Sequence, residues 1–148
     1  MKKTVYDLLS EADKIVSEKD RAEFLRKNSS TQLKTLLDYG FNRVLKFDLP
    51  TGVPPFKKLE PADGTEGRLL YESKLLYRFL APPRGLPELK KNKKEKLFLD
   101  VLESIHPDDA ILLCHIKDKS IPSLFKNVHR RVVNKAFPTL IKEETTNG

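Results

Sequence analysis

The side chains able to do chemistry are few, and most stand in one short stretch: His106, Asp108, Asp109, Cys114 and His115. Their spacing matches no metal-ligand set, since there is neither a His-Glu-x-x-His pair nor a Cys-x-x-Cys knuckle. Helix architecture accounts for them instead. Pro107 suits a first helical turn, where its missing N–H has no acceptor to lose, and Asp108 and Asp109 then face the positive end of the dipole. Cys114 stands among Leu112, Leu113 and Ile116, a setting that buries an inert thiol rather than activating a thiolate. Phosphate-cradling loops of the Gly-x-x-x-x-Gly-Lys or Gly-x-Gly-x-x-Gly kind are absent, and Gly64 and Gly67 read as turn residues. The sequence therefore predicts no catalytic residue, no metal and no cofactor, and a chain that is not an enzyme.

What remains is charge. The formal net charge is +7 over 148 residues. Arg84 to Lys96 holds Arg84, Lys90, Lys91, Lys93, Lys94 and Lys96 against Glu88 and Glu95, a local +4. Lys117 to Lys135 holds Lys117, Lys119, Lys126, Arg130, Arg131 and Lys135 against Asp118, a local +5, so the rest of the chain nets −2. Positive charge concentrated in the C-terminal half points to an acidic partner: nucleic acid, a nucleotide or an acidic protein face. Consecutive lysines at 90–94 point several ways around a helix, which suits phosphate contact better than base readout. His129, Arg130 and Arg131 add more directional donors. Tyr71, Tyr77 and Phe56 have a spacing that fits base stacking and core packing equally well.

The elements that position these groups read as all-α. Thr4 with Asp7 forms a weaker capping box ahead of a stripe of Val5, Leu8, Leu9, Ala12, Ile15 and Val16. Ser17 or Asp20 restarts a helix that ends near Asn28. Ser29, Ser30 and Thr31 start a third, with Leu33, Leu36 and Leu37 inside and Gly40 placed to end it in the left-handed conformation. Residues 41–47 read as a further helical turn or a short extended piece, with helix or irregular structure favoured. Residues 49–67 hold four prolines and three glycines, so a long irregular loop is expected there, with Val53, Pro54, Pro55 and Phe56 as an apolar strap over the helices. A helix is expected over about 66–80, stopped by Pro82 and Pro83, followed by a long one to about Ile105. With the helix that Pro107 opens, this makes an αα-hairpin with basic ends. A last helix places Phe125, Val128, Val132, Ala136 and Phe137 inside and Lys126, His129, Arg130 and Asn134 outside. The expectation is a compact bundle of six or seven short helices, one domain over 1–141, with a disordered tail over 142–148. A single Cys excludes an internal disulfide framework, and no apolar run suits a membrane span or a leader, so a soluble intracellular chain is expected.

Several stretches resemble a family of small uncharacterised proteins of contractile-tailed phages of the T-even type. They are Tyr6-Asp7-Leu8-Leu9 with Glu11-Ala12, Leu49-Pro50-x-Gly52-x-Pro54-Pro55-Phe56-Lys57, and Lys96-Leu97-Phe98. Leu102-Glu103-Ser104-Ile105-His106-Pro107-x-Asp109-Ala110, Lys117-Asp118-Lys119, and Val133 with Ala136-Phe137-Pro138-x-Leu140-Ile141 complete the match. The resemblance implies a phage origin and a host bacterial cytoplasm, and implies no activity.

Three functions are expected from this. The first is a phage accessory protein whose basic half contacts nucleic acid or a nucleoprotein through Lys90, Lys91, Lys93, Lys94, Lys96, Lys117, Lys119, Lys126, Arg130 and Arg131. The second is a protein-interaction module, a host-factor inhibitor or an assembly adaptor, using Val53, Pro54, Pro55 and Phe56. The third is sequestration of a signalling nucleotide.

Overall fold

A computed structural model of the chain describes residues 4–58 and 68–143. The described residues are all-helical, with eight α-helices and one 3-10 helix; the only strand-like feature among them is an isolated antiparallel bridge between Phe47 and Leu80. Among the described residues no helix is long and apolar enough to cross a membrane. The expected turn at Gly64 and Gly67 and the residues 144–148 of the expected tail lie outside the described residues.

The N-terminal helices follow their caps. α1 (Val5–Asp13) starts at Thr4, with a complete Thr4–Asp7 capping box. α2 (Glu18–Lys27) starts at Ser17, and α3 (Thr31–Phe41) at Ser30, each serine accepting a backbone N–H from the residue three ahead. Because α1 stops at Asp13, the apolar stripe stops with it, and Val16 is exposed rather than buried. Arg21, itself buried, explains that stop: its guanidinium donates to the carbonyls of Ala12, Ile15 and Val16, taking up acceptors a longer helix would use. Gly40 does not end α3. It lies within the helix, where Ile121 packs so close that a Cβ would come 2.5 Å from its Cδ1.

The middle of the chain departs most from helical periodicity. Where one helix is expected, there are a short α4 (Arg68–Ser73) and a 3-10 helix (Leu76–Phe79), and the start expected near Glu66 lies outside the described residues. The Ser73 hydroxyl donates to the Leu70 carbonyl at 2.7 Å, a local bond that competes with helix continuation. The chain then extends so that Leu80 can pair with Phe47. Residues 42–47 are irregular, one of the two expected alternatives. The long helix is α5 (Lys91–Leu102), starting later and ending earlier than its apolar pattern suggested.

α6 (Pro107–Lys117) is the centre of the fold. His106 caps it through Nδ1, Pro107 opens it, and Asp109, Ala110, Leu112, Leu113, Cys114, Ile116 and Lys117 are all buried. A helix enclosed on nearly every side must be packed from several directions, and α6 touches α1, α3, α5 and α7. The expected last helix is two pieces, α7 (Ile121–Leu124) and α8 (Arg130–Ala136). Asp13 holds the intervening Asn127 through its carboxylate and its carbonyl, at 2.8 and 2.9 Å. Phe125 packs edge-on to Tyr6, and α8 lies against α2. Glu143, expected in a disordered tail, accepts the Arg43 N–H at 2.6 Å and pairs with Arg130.

Candidate functional site

Four of the ten cations proposed for an acidic partner are used inside the protein. Lys94 is 1% exposed, and its ammonium donates to Asp48 Oδ2 at 3.1 Å and to the Leu80 carbonyl at 3.0 Å. Lys117 is buried and donates to the carbonyls of Pro50 and Gly52, at 2.6 and 3.0 Å, and to Asp118 at 2.6 Å. Lys119, at φ 58°, donates to the carbonyls of Tyr39 and Leu45 and lies 5.3 Å from the centre of the Phe47 ring. Burial lowers its ammonium from the ordinary lysine range to about 8. Arg130 donates to the Phe41 carbonyl and to Glu143. Each of these cations fastens an irregular segment or a helix end whose carbonyls meet no other donor among the described residues.

The rest are exposed: Lys90, Lys91, Lys93 and Lys96 around the start of α5, Lys126 after α7, and Arg131 on α8. Arg131 meets Glu18 at 2.8 Å, as does Lys135 at 3.0 Å. α8 rests on α2, whereas α5 rests on α6 and the 3-10 helix, and Lys96 and Lys117, one from each basic segment, line one groove. The α5 lysines stand in a distinctive setting. The helix has no side-chain cap and no acid in its first turn, so Lys90, Lys91 and Lys93 surround the positive end of the dipole. Lys91 comes no nearer than 4.0 Å to Asp48, and Lys90, Lys93 and Lys96 meet no carboxylate among the described residues. An anion arriving at this helix start meets N–H groups without a side-chain cap and the exposed lysines Lys90, Lys91 and Lys93, with Lys96 exposed farther along α5.

The proline-rich segment is described as far as residue 58, and residues 49–55 line a groove together with Glu95, Lys96, Phe98 and Leu99 of α5. The Lys117-Asp118 pair fastens it from below: Lys117 takes two of its carbonyls, and Asp118 accepts the Gly52 N–H at 2.8 Å. Gly52 sits at φ 101°, a backbone conformation that favours glycine. Farther along, Glu103 accepts the Lys57 N–H at 2.9 Å. Between strap and helix lies a groove of about 450 Å³, lined by Leu49, Val53, Pro54, Phe98 and Leu99, with Lys96 on its rim. Val53 is 48% exposed and Pro55 is exposed, while Pro54 and Phe56 are half-buried.

The ligand-type stretch is divided among structural tasks. His106 caps α6, Asp109 Oδ1 accepts the Tyr6 N–H at 3.2 Å, and His115 Nδ1 lies 2.9 Å from Ser120 Oγ. Burial raises the Cys114 thiol to about 11, which keeps it protonated and unreactive at neutral pH. Among the described residues no three His, Cys, Asp or Glu side chains gather as a metal-binding group.

Residues 8–123 match the family described as "Family of unknown function (DUF6433)". The chain belongs to that family. The match takes in the strap, α4, α5, α6 and the Lys117-Asp118-Lys119 clip, and it leaves α8 with Arg130 and Arg131 outside. No curated protein matches the chain.

Proposed function

We propose that the protein acts by binding rather than by catalysis, and that the exposed lysines at the start of α5 contact nucleic acid or a protein already on it. One observation carries this: Lys90, Lys91, Lys93 and Lys96 stand exposed at an uncapped helix start with no acid in its first turn. Leaving like charges unpaired at the positive end of a dipole is locally unfavourable, and phosphate oxygens would relieve it. The contact set is therefore narrower than the sequence suggests, since Lys94, Lys117, Lys119 and Arg130 already hold internal acceptors. We read α5 and α6 as the expected hairpin, with the lysines at its entry. The resemblance to proteins of contractile-tailed phages supports a phage accessory role in the host bacterial cytoplasm.

The test is to compare two sets of substitutions in nucleic-acid binding. Reversing Lys90, Lys91, Lys93 and Lys96 to Glu is expected to abolish binding of labelled DNA and RNA while the helical circular dichroism is kept. Reversing exposed Lys126 and Lys135 is expected to leave binding largely intact. Equal losses from both sets would overturn the assignment to α5.

The apolar groove under the strap favours a second reading, as a protein-interaction module. Its motivating observation is a largely apolar recess that exposed Val53 helps to line. Replacing Val53 and Phe56 with Ala then removes partner capture without loss of fold; unchanged capture would eliminate it.

A further inference from the structure

The segment 68–77 carries a pattern separate from the lysines of α5. Arg68, Tyr71, Lys74 and Tyr77 recur every third residue, cation alternating with aromatic, and all four side chains are exposed. Tyr71 is 57% and Tyr77 41% exposed, so core packing does not account for either ring. Arg68 and Tyr71 lie one turn apart on α4, Lys74 follows in the turn after it, and Tyr77 stands on the 3-10 helix, so the four alternate along one exposed stretch of chain. Arg68 lies 5.7 Å from the Tyr71 ring centre and 3.0 Å from Glu72. That pair sets a guanidinium over a ring that is itself exposed. The 3-10 helix bearing Tyr77 packs against α5, and the Lys94 bond to the Leu80 carbonyl ties the same segment to that helix.

We infer that the Arg68-Tyr71-Lys74-Tyr77 stripe is a stacking surface for single-stranded nucleic acid. Resting on the nucleic-acid reading of α5, it specifies the form recognised. Every base has a π-face that an exposed tyrosine can stack against, whereas a duplex hides those faces within its own stack. Arg68, over the Tyr71 ring, and exposed Lys74, between the two tyrosines in sequence, supply the charge that the intervening phosphates require. The pattern calls for strand form rather than base sequence, since no amide or carboxylate alternates with the rings to read base edges.

The experiment titrates the full chain against a labelled single-stranded oligodeoxythymidine and a labelled duplex at one low salt concentration. The variants are Tyr71→Ala with Tyr77→Ala, Tyr71→Phe with Tyr77→Phe, and the four-lysine reversal on α5. The Ala pair is expected to lose about tenfold or more on the single strand, to bind duplex as the parent does, and to keep the parental circular dichroism. The Phe pair is expected to bind the single strand normally. Because the chain has four Tyr and no Trp, stacking is also expected to quench intrinsic fluorescence on the parent, and far less on the Phe pair. An Ala pair that binds single strands like the parent overturns the stacking surface, as does an equal loss on both substrates. In either case binding abolished by the lysine reversal leaves the α5 reading standing. Absence of all binding by the parent chain overturns both.

Discussion

Replacing Lys94 separates a structural lysine from the contact lysines beside it. Its ammonium makes two charge-assisted hydrogen bonds, to Asp48 Oδ2 at 3.1 Å and to the Leu80 carbonyl at 3.0 Å. Lys94→Met keeps most of the apolar stem and deletes the donor. The Leu80 carbonyl, on a residue 3% exposed, loses its lysine donor, which costs about 1–3 kcal/mol. The Asp48 side chain is 28% exposed, so water replaces part of what it loses and its share falls at the low end of that range. The total is about 2–3 kcal/mol. Lys94→Ala also removes three buried methylenes at about 0.8 kcal/mol each, which brings the loss to about 4–5 kcal/mol. For a chain of 148 residues these losses lower Tm by roughly 6–9 °C and 12–15 °C, at about 3 °C per kcal/mol. Neighbouring Lys93 is exposed, and Lys93→Met is expected to stay within about 0.5 kcal/mol of the parent. Urea unfolding followed by far-ultraviolet circular dichroism measures all three. A Lys94→Met protein as stable as the parent, and weakened only in nucleic-acid binding, would refute the internal role and return Lys94 to the surface set.

Other outcomes follow from buried positions. A Cβ on Gly85 would stand 2.8 Å from the carbonyl carbon of Leu80 and closer still to its oxygen, a backbone clash with no side chain to rotate away. Gly85→Ala is therefore expected to destabilise by about 2 kcal/mol or more. Gly40→Ala meets only the tip of Ile121 and gains about 1 kcal/mol of helix propensity, so thermal melts should place it near the parent. Burial raises the Asp109 carboxyl from 3.8 to about 6. With the folded value above the unfolded one, the folded state holds the proton more tightly, so stability is highest below about pH 4 as far as this group acts, and its contribution is lost as pH rises to about 6. Asp109→Asn keeps an acceptor for the Tyr6 N–H and is expected to flatten stability against pH across that window; an unchanged profile would contradict the assignment. The Cys114 thiol, buried and raised to about 11, should react with a disulfide reagent only at the rate of unfolding, and fast labelling of the folded chain would show an open α6.

Much of the architecture is legible because it is local. Thr4, Ser17, Ser30 and Pro107 mark helix starts through bonds made within one turn, and those signals need no knowledge of the tertiary fold. Periodicity fails where a tertiary bond intervenes. Val16 continues the α1 stripe in sequence, yet Arg21 consumes the carbonyls beyond Ala12. The expected helix through residue 80 yields to the Phe47–Leu80 bridge, and the expected last helix is divided where Asp13 holds Asn127. Charge is the least legible property, since a lysine that grips a buried carbonyl and one that faces water are the same letter. One signal was present: Lys94, Phe98 and Val101 share an i, i+4, i+7 stripe, which places a lysine on the buried side of α5. Lys117 shares the same spacing with Ala110 and Cys114 on α6, but nothing comparable marks Lys119, whose acceptors lie 74 and 80 residues away in sequence. The Arg68-Tyr71-Lys74-Tyr77 alternation is visible in the letters, but only exposure distinguishes it from a core stripe.

The central claim is that the α5 lysines bind phosphate, and the salt dependence of nucleic-acid affinity tests it most directly. Anisotropy of a labelled single strand, titrated at several salt concentrations, should give log affinity falling with log salt at a slope of about −4, corresponding to phosphate contacts by the four α5 lysines with Arg68 and Lys74. Reversal of Lys90, Lys91, Lys93 and Lys96 should abolish that binding. No binding at the lowest salt, or binding whose strength ignores salt, would contradict the account and turn attention to the groove beneath the strap.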